Sequence, residues 1–567
     1  MNTIQINPAD NVIVALSPLA KGAAVEVPGV GEVVAAEDIP QGHKMAVRAI
    51  AAGEDVIKYG LPIGHVTKDI QPGQWLHTHN VKTNLSGEIE YAYNPTHPVV
   101  EPVEAETFMG FRRADGRAAT RNELWIIPTV GCVNEVARAM CEQAQDLVEG
   151  SLEGVYYFPH PFGCSQTGAD HAQTRRLLVA LSRHANAAGV LFLSLGCENC
   201  THQQVLDELG DFDHERVRFL TCQDVADEQI EGHKILSELA DLAKQAKREP
   251  IPASELVIGL KCGGSDGLSG ITANPTIGRV SDMVVARGGT SVLTEVPEMF
   301  GAESILLDRC ENEQVFNAAS DMLNGFKDYF ISHGEVVYEN PSPGNKDGGI
   351  TTLEDKSCGC VQKGGSAPIV DVLPYAGQVT KHGLNMLCGP GNDMVSTTAL
   401  TAAGCHVILF STGRGTPFGA PAPTLKVFTN QRLCDHKANW MDFNAGVIAT
   451  GERTLDEAAR DLYQLVLDTA SGKLTSAERR GCQDEVNAIM DLFWDYLCEA
   501  DQYLERRRLP VERFAIRRGG ESFDLDDGAA QWLRAREGLL LRVCEMLFGA
   551  LFRTVDVSMV INSGKLV

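Results

Sequence analysis

Two histidines separated by one residue, His77 and His79, lie in the segment Trp75–Asn80. In a strand, side chains alternate between the two faces, so these imidazoles would share one face. Imidazole titrates near neutral pH and binds transition metals, so the pair predicts proton transfer or metal binding. Two surface histidines on an edge strand are the alternative interpretation. His43, which follows the turn at Gln41–Gly42, is a further candidate of the same kind.

A second group of candidates consists of cysteines that follow short apolar runs. They are Cys132, Cys164, Cys197 and Cys262, each next to glycine. Thiolates are soft ligands that suit iron, zinc or iron–sulfur clusters. Cys197 and Cys200 form a C-x-x-C pair, but no second pair lies nearby to complete a zinc ribbon. The alternative is that small residues simply pack well at these positions.

Glycine-rich polar loops form a third group. Their candidate substrate-binding residues are Ser265, Asp266, Asn274, Asn345, Arg414 and Thr416, and Lys346 is a candidate catalytic residue beside them. Main-chain N–H groups in such loops approach anionic oxygens closely. Arg414 has the geometry to bind a carboxylate through two hydrogen bonds. Ordinary turns are the alternative, and neither common phosphate-loop motif occurs.

Acidic and basic residues stand together in two further segments, Glu295–Glu298 and Glu354–Lys356. Paired carboxylates near a lysine predict proton donors, proton acceptors or metal ligands. Lys356 is therefore a candidate catalytic residue. The alternative is an acidic helix N-terminus, which is common because the helix dipole favours negative charge there.

The elements that must position these residues change in type along the chain. Residues 1–87 show short alternating runs broken by Gly and Pro, which predicts a small β-rich domain. Residues 88–115 suit a linker. Apolar strands then alternate with helical patterns, which predicts two parallel α/β domains at 116–250 and 251–480. Residues 481–567 contain helical spacing at Val486–Leu497 and Gln531–Phe552 and predict a helical appendage.

The predicted strands of the α/β domains share one format, an apolar run followed by a polar or glycine-rich loop. They are Leu124–Pro128, Val155–Phe158, Val190–Leu195, Leu256–Leu260 and Val407–Phe410, and a polar helix is predicted at Glu228–Arg248. Open parallel sheets bind ligands beyond the carboxyl ends of their strands. The candidate cysteines and Arg414 therefore follow strands at the edge where such sheets place their chemistry.

Composition excludes several classes of function. The chain has 567 residues, 44% of them hydrophobic and 22% charged, with a net charge of −26. This acidic excess argues against a nucleic-acid partner. No signal peptide or long apolar run is visible, so the sequence predicts a cytoplasmic protein without a membrane partner. Its 16 cysteines are expected to be free, catalytic or metal-bound.

Six motifs together carry a resemblance to a known family. They are Lys58–Gly64, Arg121–Trp125, Gly263–Asn274, Thr294–Ala302, Asn340–Lys346 and Ser411–Pro417. With them the chain resembles the altronate and galactarate dehydratases of bacterial hexuronate catabolism, over roughly residues 1–475. The resemblance implies an N-terminal SAF-type β-clip domain followed by α/β domains. It also implies a divalent metal, usually Fe²⁺, with Mn²⁺ as a substitute. The candidate cysteines and histidines leave open whether the iron is a single ion or an iron–sulfur cluster.

The stretches His77–Asn80 and Gly349–Ser357 resemble the altronate branch of this family. That resemblance implies a hydro-lyase that converts D-altronate to 2-dehydro-3-deoxy-D-gluconate, with a sugar acid as its small-molecule partner. Galactarate dehydratase, sulfolactate lyase and a non-catalytic sugar-acid-binding protein are the alternatives. A homo-oligomer is also expected. The residues after about Ser476 have no counterpart in the resemblance.

The roles expected for the candidate residues follow from this reaction. His77 or His79 would transfer a proton or bind the metal, and Lys346 and Arg414 would hold the substrate carboxylate. Iron would lie near the four candidate cysteines, or at the two histidines. Which residue acts as the general base stays open among the histidines, Lys356 and a glutamate.

Overall fold

The computed structural model describes residues 2–85, 91–166, 168–338 and 340–482, and the backbone of three later strands. The chain divides into two compact units, Met1–Met490 and Asp491–Val567. The first unit holds every candidate residue. None of the helices in the described residues has the length and apolar character needed to cross a membrane.

The N-terminal domain is built from nine short antiparallel strands. These are β1 (Thr3–Ile4), β2 (Val12–Ala15), β3 (Ala24–Val27), β4 (Gly31–Val34), β5 (Lys44–Ala46), β6 (Asp55–Lys58), β7 (Leu61–Val66), β8 (Trp75–Leu76) and β9 (Val81–Lys82). They form three small sheets, ordered β1-β2-β5-β8, β3-β4 and β6-β7-β9. Alternate residues such as Val25, Val27 and Val33 point into a shared apolar core, as expected for strands with one buried face. The predicted small β-rich domain is confirmed.

A short antiparallel sheet follows where the sequence predicted a linker and the end of a helix. It joins β10 (Thr107–Arg112) to β11 (Ala118–Ala119) and to β16 (Arg248–Pro252). The linker prediction is therefore wrong for Thr107–Arg112, because these residues pair with a strand far along the chain. The predicted helix Glu228–Arg248 ends earlier, at Ala243, and Arg248 instead begins the strand β16.

The first α/β domain contains a parallel sheet of four strands. The strands are β12 (Glu123–Pro128), β13 (Gly154–Tyr157), β14 (Ala187–Ser194) and β15 (Val217–Thr221), in the order β13-β12-β14-β15. The helices are α1 (Asn134–Gln143), α2 (Gly168–Ser182), α3 (His202–Leu209) and α4 (Glu228–Ala243). The three strands predicted here are confirmed within a few residues. Every residue of β12 is buried, which is typical of a strand covered on both faces.

The second α/β domain is a parallel sheet of seven strands. They are β17 (Val257–Cys262), β18 (Thr290–Leu293), β19 (Ile369–Leu373), β20 (Gly383–Leu387), β21 (Val407–Thr412), β22 (Thr424–Phe428) and β23 (Phe443–Asn444). Its helices are α5 (Ala273–Ala286), α6 (Glu303–Leu307), α7 (Glu313–Ser332), α8 (Pro343–Asp347), α9 (Leu353–Cys360), α10 (Asp393–Ala402), α11 (Gln431–His436), α12 (Val447–Thr450) and α13 (Leu455–Ala470). The order is β19-β20-β18-β17-β21-β22-β23. The chain leaves β17 for the strand on one side and reaches β21 on the other side only later, so a crevice opens between their carboxyl ends.

The two α/β domains share one apolar core. Trp125 and Leu178 of the first domain belong to the same buried cluster as Leu400 and Ile408 of the second. Burial of large side chains contributes roughly 1.5–3 kcal/mol each. The two sheets are therefore held together by continuous packing.

The predicted helical patterns of the C-terminal region, Val486–Leu497 and Gln531–Phe552, lie outside the described residues. The part that is described forms an antiparallel sheet. Its strands are β24 (Val511–Arg518), β25 (Glu521–Asp524) and β26 (Val555–Ile561), in the order β25-β24-β26. The helical spacing gave no indication of these strands.

Candidate active site

The crevice between β17 and β21 is held by main-chain hydrogen bonds. The N–H of Gly263 donates to the carbonyl of Ser411 over 3.0 Å, and the N–H of Arg414 donates to the carbonyl of Gly264 over 3.0 Å. Gly264 has a φ of +62°, a conformation that glycine adopts at little cost. These contacts bring the loop after Cys262 against the loop that carries Arg414.

A cleft of about 850 Å³ opens beside these loops. Arg414, Arg432 and His436 line it from the second α/β domain, and Gln41 and Gly42 line it from the N-terminal domain. Two guanidinium groups provide charged donors that match a carboxylate. The cleft therefore suits a small anionic molecule, although the chain as a whole is acidic.

Two cysteines and a glutamate meet in the interior behind the crevice. The sulfur atoms of Cys262 and Cys360 are 3.3 Å apart, and Glu298 Oε2 lies 3.1 Å from the first and 3.2 Å from the second. All three side chains are buried. One ion could touch all three atoms at bond lengths of roughly 2.0–2.3 Å.

Lysines surround this donor set. Lys363 Nζ lies 2.9 Å from the sulfur of Cys262, and Lys356 Nζ donates to Glu298 Oε1 over 2.8 Å. Burial opposes the charge of Glu298, but Lys356 and the other lysines hold the pKa of its carboxyl well below its usual range. Lys261 and Lys363 both pair with Glu295, which bonds the N–H of Cys262 over 3.0 Å.

The donor set fits a soft divalent metal. Thiolates and a carboxylate are the ligand types that bind Fe²⁺ or Zn²⁺. The ammonium group of Lys363 beside the sulfur of Cys262 adds a positive charge next to the donor set. Among the histidines, cysteines and acidic residues that the structure describes, Cys262, Glu298 and Cys360 form a group of three whose donor atoms all lie within 4.8 Å of one another.

Helix α9 connects this donor set to the N-terminal domain. Lys44 and Lys58 of the small domain donate to the two oxygens of Asp355 over 2.7 and 2.9 Å, and all three side chains are buried. Burial opposes the charge of Asp355, but the two lysines hold the pKa of its carboxyl well below its usual range. On the same helix, Glu354 accepts hydrogen bonds from Thr83 and from the N–H of Asn84.

The histidines of the small domain lie around Trp75. The ring of His77 stacks on Trp75 at a centroid distance of 5.6 Å, and His79 lies 5.1 Å away at a tilt. The two do not share a strand face as predicted, because β8 ends at Leu76. The N–H groups of Asn80 and Val81 both donate to the carbonyl of His77 and close a turn.

Burial favours the neutral form of two of these histidines. Burial, and then the nearby Lys44, lower the pKa of His77 to about 3. Burial also lowers the pKa of His43, whose Nδ1 accepts a hydrogen bond of 3.1 Å from Trp75 Nε1. His77 Nδ1 lies 3.3 Å from Thr351 Oγ1, just before α9. These imidazoles therefore face the body from the small domain.

The structure brings several predicted residues to the cleft and uses others as supports. Arg414 and Asp266 line the cleft, and Thr416 lies close to Arg414 in the same loop. Asp266, Asn274 and Asn345 are buried and hydrogen-bonded within the protein. The carbonyl of Ser265 accepts from Asn345 Nδ2 over 2.9 Å, and Lys346 follows on α8.

The four candidate cysteines do not form one site. Cys262 ends a strand of the seven-stranded sheet, whereas Cys132, Cys164 and Cys197 follow strands of the four-stranded sheet. The partner thiol that sequence reasoning missed is Cys360. Its signal was the repeat Cys358-Gly359-Cys360 directly after the acidic segment Glu354–Lys356.

A donor set of thiols and carboxylate next to a cationic cleft defines a candidate metal-dependent enzyme of small anionic substrates. Three family models match the chain: the altronate/galactarate dehydratase SAF domain at residues 1–84, the second domain of D-galactarate dehydratase/altronate hydrolase at 110–247, and the C-terminal domain of D-galactarate/altronate dehydratase at 253–491. The chain belongs to the altronate/galactarate dehydratase family. The expected SAF domain and α/β body are thereby confirmed.

Relatives within this family match most of the chain. An altronate dehydratase of Bacillus subtilis is 49% identical, covering 84% of this chain and 96% of the relative. An altronate dehydratase of Escherichia coli is 50% identical, covering 84% of this chain and 97% of the relative. A galactarate dehydratase (L-threo-forming) of Escherichia coli is 34% identical, covering 83% of this chain and 93% of the relative.

The first prediction concerns the buried pairs at Asp355. The substitution Asp355→Asn leaves Lys44 and Lys58 buried without their counter-charge, so we expect a loss of about 3–5 kcal/mol of stability. Urea unfolding followed by circular dichroism measures the change. The substitution Asp371→Asn, at the more exposed pair with Lys381, should cost about 1 kcal/mol or less.

The difference between wild type and Asp355→Asn should also shrink with acid. The pKa of this carboxyl is depressed in the folded protein, so its stabilisation is present above the unfolded-state value and is lost as the pH falls. Equal unfolding midpoints for wild type and Asp355→Asn at neutral pH would contradict the assigned role.

The second prediction concerns the metal. The substitutions Cys360→Ser and Glu298→Gln each remove one donor and should lower bound iron after anaerobic loading, measured by elemental analysis. Cys358→Ser is the matched control, because Cys358 is buried on the same helix but is not part of the donor set. The assignment fails if Cys358→Ser and Cys360→Ser lose iron equally.

Proposed function

We propose that this chain is a hydro-lyase that removes water from D-altronate to give 2-dehydro-3-deoxy-D-gluconate. One observation carries the proposal: the loop of Arg414, which lines the cationic cleft, is hydrogen-bonded to the loop that follows Cys262. A surface suited to an anion therefore lies next to a candidate donor set for a metal. The two relatives at about half identity that bear the name altronate dehydratase support this substrate.

The reaction has two chemical difficulties. The proton on C2 lies beside a carboxylate and is barely acidic, and the hydroxyl on C3 is a poor leaving group. A base must take the proton from C2, and the hydroxyl group on C3 must be stabilised as it departs. Fe²⁺ bound by Cys262, Glu298 and Cys360, with Mn²⁺ as a substitute, would supply Lewis acidity for this step.

Cationic side chains of the body hold the substrate carboxylate. Arg414 offers two parallel donors from the rim of the cleft. Lys346, on α8, adds a further positive charge next to Asp347, which lines the cleft. These groups orient C2 and C3 and stabilise the negative charge that develops when the C2 proton leaves.

The histidines of the small domain are suited to proton transfer. His77 is neutral at neutral pH and so has a lone pair to accept a proton, and a bound carboxylate would raise its pKa again. His79 is exposed beside it and serves as the second candidate. His43 instead uses its Nδ1 to accept from Trp75, so we assign it to holding the Trp75–His77 stack.

Lys356 is a poor base in this arrangement. Burial disfavours its charge, but Glu298 raises the pKa of Lys356 well above its ordinary value, so it stays an ammonium group. Its bonds to Glu298 and to Asn340 Oδ1 hold it near the donor set. We assign it to stabilising the anionic intermediate. A homo-oligomer in the cytoplasm stays a prediction.

The third prediction concerns substrate and carboxylate binding. The protein should convert D-altronate with a higher kcat/KM than galactarate. Arg414→Ala should lower kcat/KM for D-altronate by about 10–100-fold, since a charged hydrogen-bond partner is worth about 1.5–3 kcal/mol. The exposed Arg453, which pairs with Asp461, provides the control Arg453→Ala. A higher kcat/KM on galactarate would overturn the substrate assignment.

The fourth prediction concerns the histidines. At least one of His77→Gln and His79→Gln should lower kcat by about 10² or more, the usual scale for a lost acid or base. Folding and metal content should be unchanged. The half-exposed His233, on α4, provides the control His233→Gln. Near-full turnover of both variants would assign proton transfer to another residue.

A further inference from the structure

Each strand of the four-stranded sheet is followed by a cysteine at the same edge. Cys132, Cys164 and Cys197 follow β12, β13 and β14 and are exposed, and Cys222 follows β15. Cys222 differs because it is half-buried against an apolar core, and burial raises its pKa to about 11. Three neighbouring strands therefore present accessible thiols, and the fourth directs its thiol into packing.

Main-chain hydrogen bonds tie the three loops that carry the exposed thiols. The N–H of Gly131 donates to the carbonyl of Phe162 over 2.9 Å, so the loops of Cys132 and Cys164 touch. The N–H of Cys200 donates to the carbonyl of Gly163 over 3.0 Å, so the loops of Cys164 and Cys197 touch as well. The three cysteines thus surround one small region of the sheet edge.

The backbone of these loops is closely packed, because Gly163 leaves no room for a side chain. Gly163 has a φ of +97°, and an added Cβ would lie 1.9 Å from the carbonyl oxygen of Thr129. Glu198 lies beneath the loops and accepts hydrogen bonds from Thr129 Oγ1 over 2.7 Å and from the N–H of Gly196 over 2.6 Å. The three thiols are therefore carried by closely packed, hydrogen-bonded loops.

Three helices begin at this edge of the sheet. Helices α1, α2 and α3 begin at Asn134, Gly168 and His202, two to five residues after the three cysteines. The N-terminus of a helix carries partial positive charge. Three such ends follow the three cysteines closely in sequence and would favour an anionic group bound there.

The three sulfur atoms are not arranged to share a single ion. In the described residues, these three sulfur atoms do not belong to any group of donors within 4.8 Å of one another, as ligands of one ion would. Thiolates that bind different irons of one iron–sulfur cluster stand farther apart. We propose that Cys132, Cys164 and Cys197 bind an iron–sulfur cluster, separate from the metal site at Cys262, Glu298 and Cys360. With three cysteine ligands, one iron of a four-iron cluster is left without a protein thiolate.

The full-length protein, purified and reconstituted anaerobically with ferrous iron and sulfide, tests this proposal. Iron, acid-labile sulfide, the visible absorbance of the cluster and its electron paramagnetic resonance after reduction are measured. Wild type should contain sulfide and show the cluster spectrum. The substitutions Cys132→Ser, Cys164→Ser and Cys197→Ser should each lower the sulfide content and the cluster spectrum to background. The matched variant Cys222→Ser should keep the sulfide and the spectrum.

Cys360→Ser separates this site from the proposed dehydration site, because it should keep the sulfide and the spectrum even where turnover is lost. Iron without acid-labile sulfide in wild type would overturn the cluster. Loss of the cluster in Cys222→Ser to the same degree as in the three variants would overturn the ligand set.

A second measurement needs no substitution and so does not depend on how the variants fold. Wild type is treated with a thiol-alkylating reagent before and after the cluster is removed with a chelator and an oxidant followed by reduction, and peptides are quantified by mass spectrometry. Cys132, Cys164 and Cys197 should be protected before removal and react after it. Equal alkylation of these three in both states would overturn the proposal.

Discussion

The carboxylate of Asp355, shared by Lys44 and Lys58, fixes the N-terminal domain on the body. Moving three charges out of water costs several kcal/mol each, and the attraction between them offsets this cost only when the geometry is tight. The oxygens of Asp355 lie 2.7 and 2.9 Å from the two ammonium groups. A displaced domain would leave these charges unpaired, so the contact selects one docking position.

The position of helix α9 follows from the same contact. Asp355 faces the small domain, Lys356 reaches Glu298, and Cys360 meets Cys262 at the end of the helix. Thr351, just before α9, lies beside His77. One short helix therefore sets the distance between the imidazoles of one domain and the thiols of the other, and it explains how two domains contribute to one candidate site.

Charge balance in the interior has a consequence for the cleft. Glu295 and Glu298 are already paired with Lys261, Lys356 and Lys363. The guanidinium groups at the cleft are not needed to neutralise these carboxylates. They are available for an anionic substrate, in a protein whose net charge is −26. Local arrangement, and not total charge, decides what this surface binds.

The sequence by itself determined the local features of this protein. Apolar runs such as Leu124–Pro128 predicted the strands of both sheets, and glycine-rich loops after Val407–Phe410 predicted the edge that carries Arg414. Side-chain period and turn chemistry depend on a few adjacent residues, so they can be read directly. The prediction from sequence was wrong where contacts between distant segments decide the structure. Thr107–Arg112 is such a case, because it pairs with Arg248–Pro252.

Only the tertiary structure decided which side chains meet. Cys262 contacts Cys360 and Glu298, and Lys44 pairs with Asp355, which lies 311 residues later in the sequence. Such partners are chosen by the packing of whole elements, because a buried charge or thiol is stable only where the fold supplies a matching group. The same packing separated Cys132, Cys164 and Cys197 from Cys262, since strands with similar endings were assigned to two different sheets.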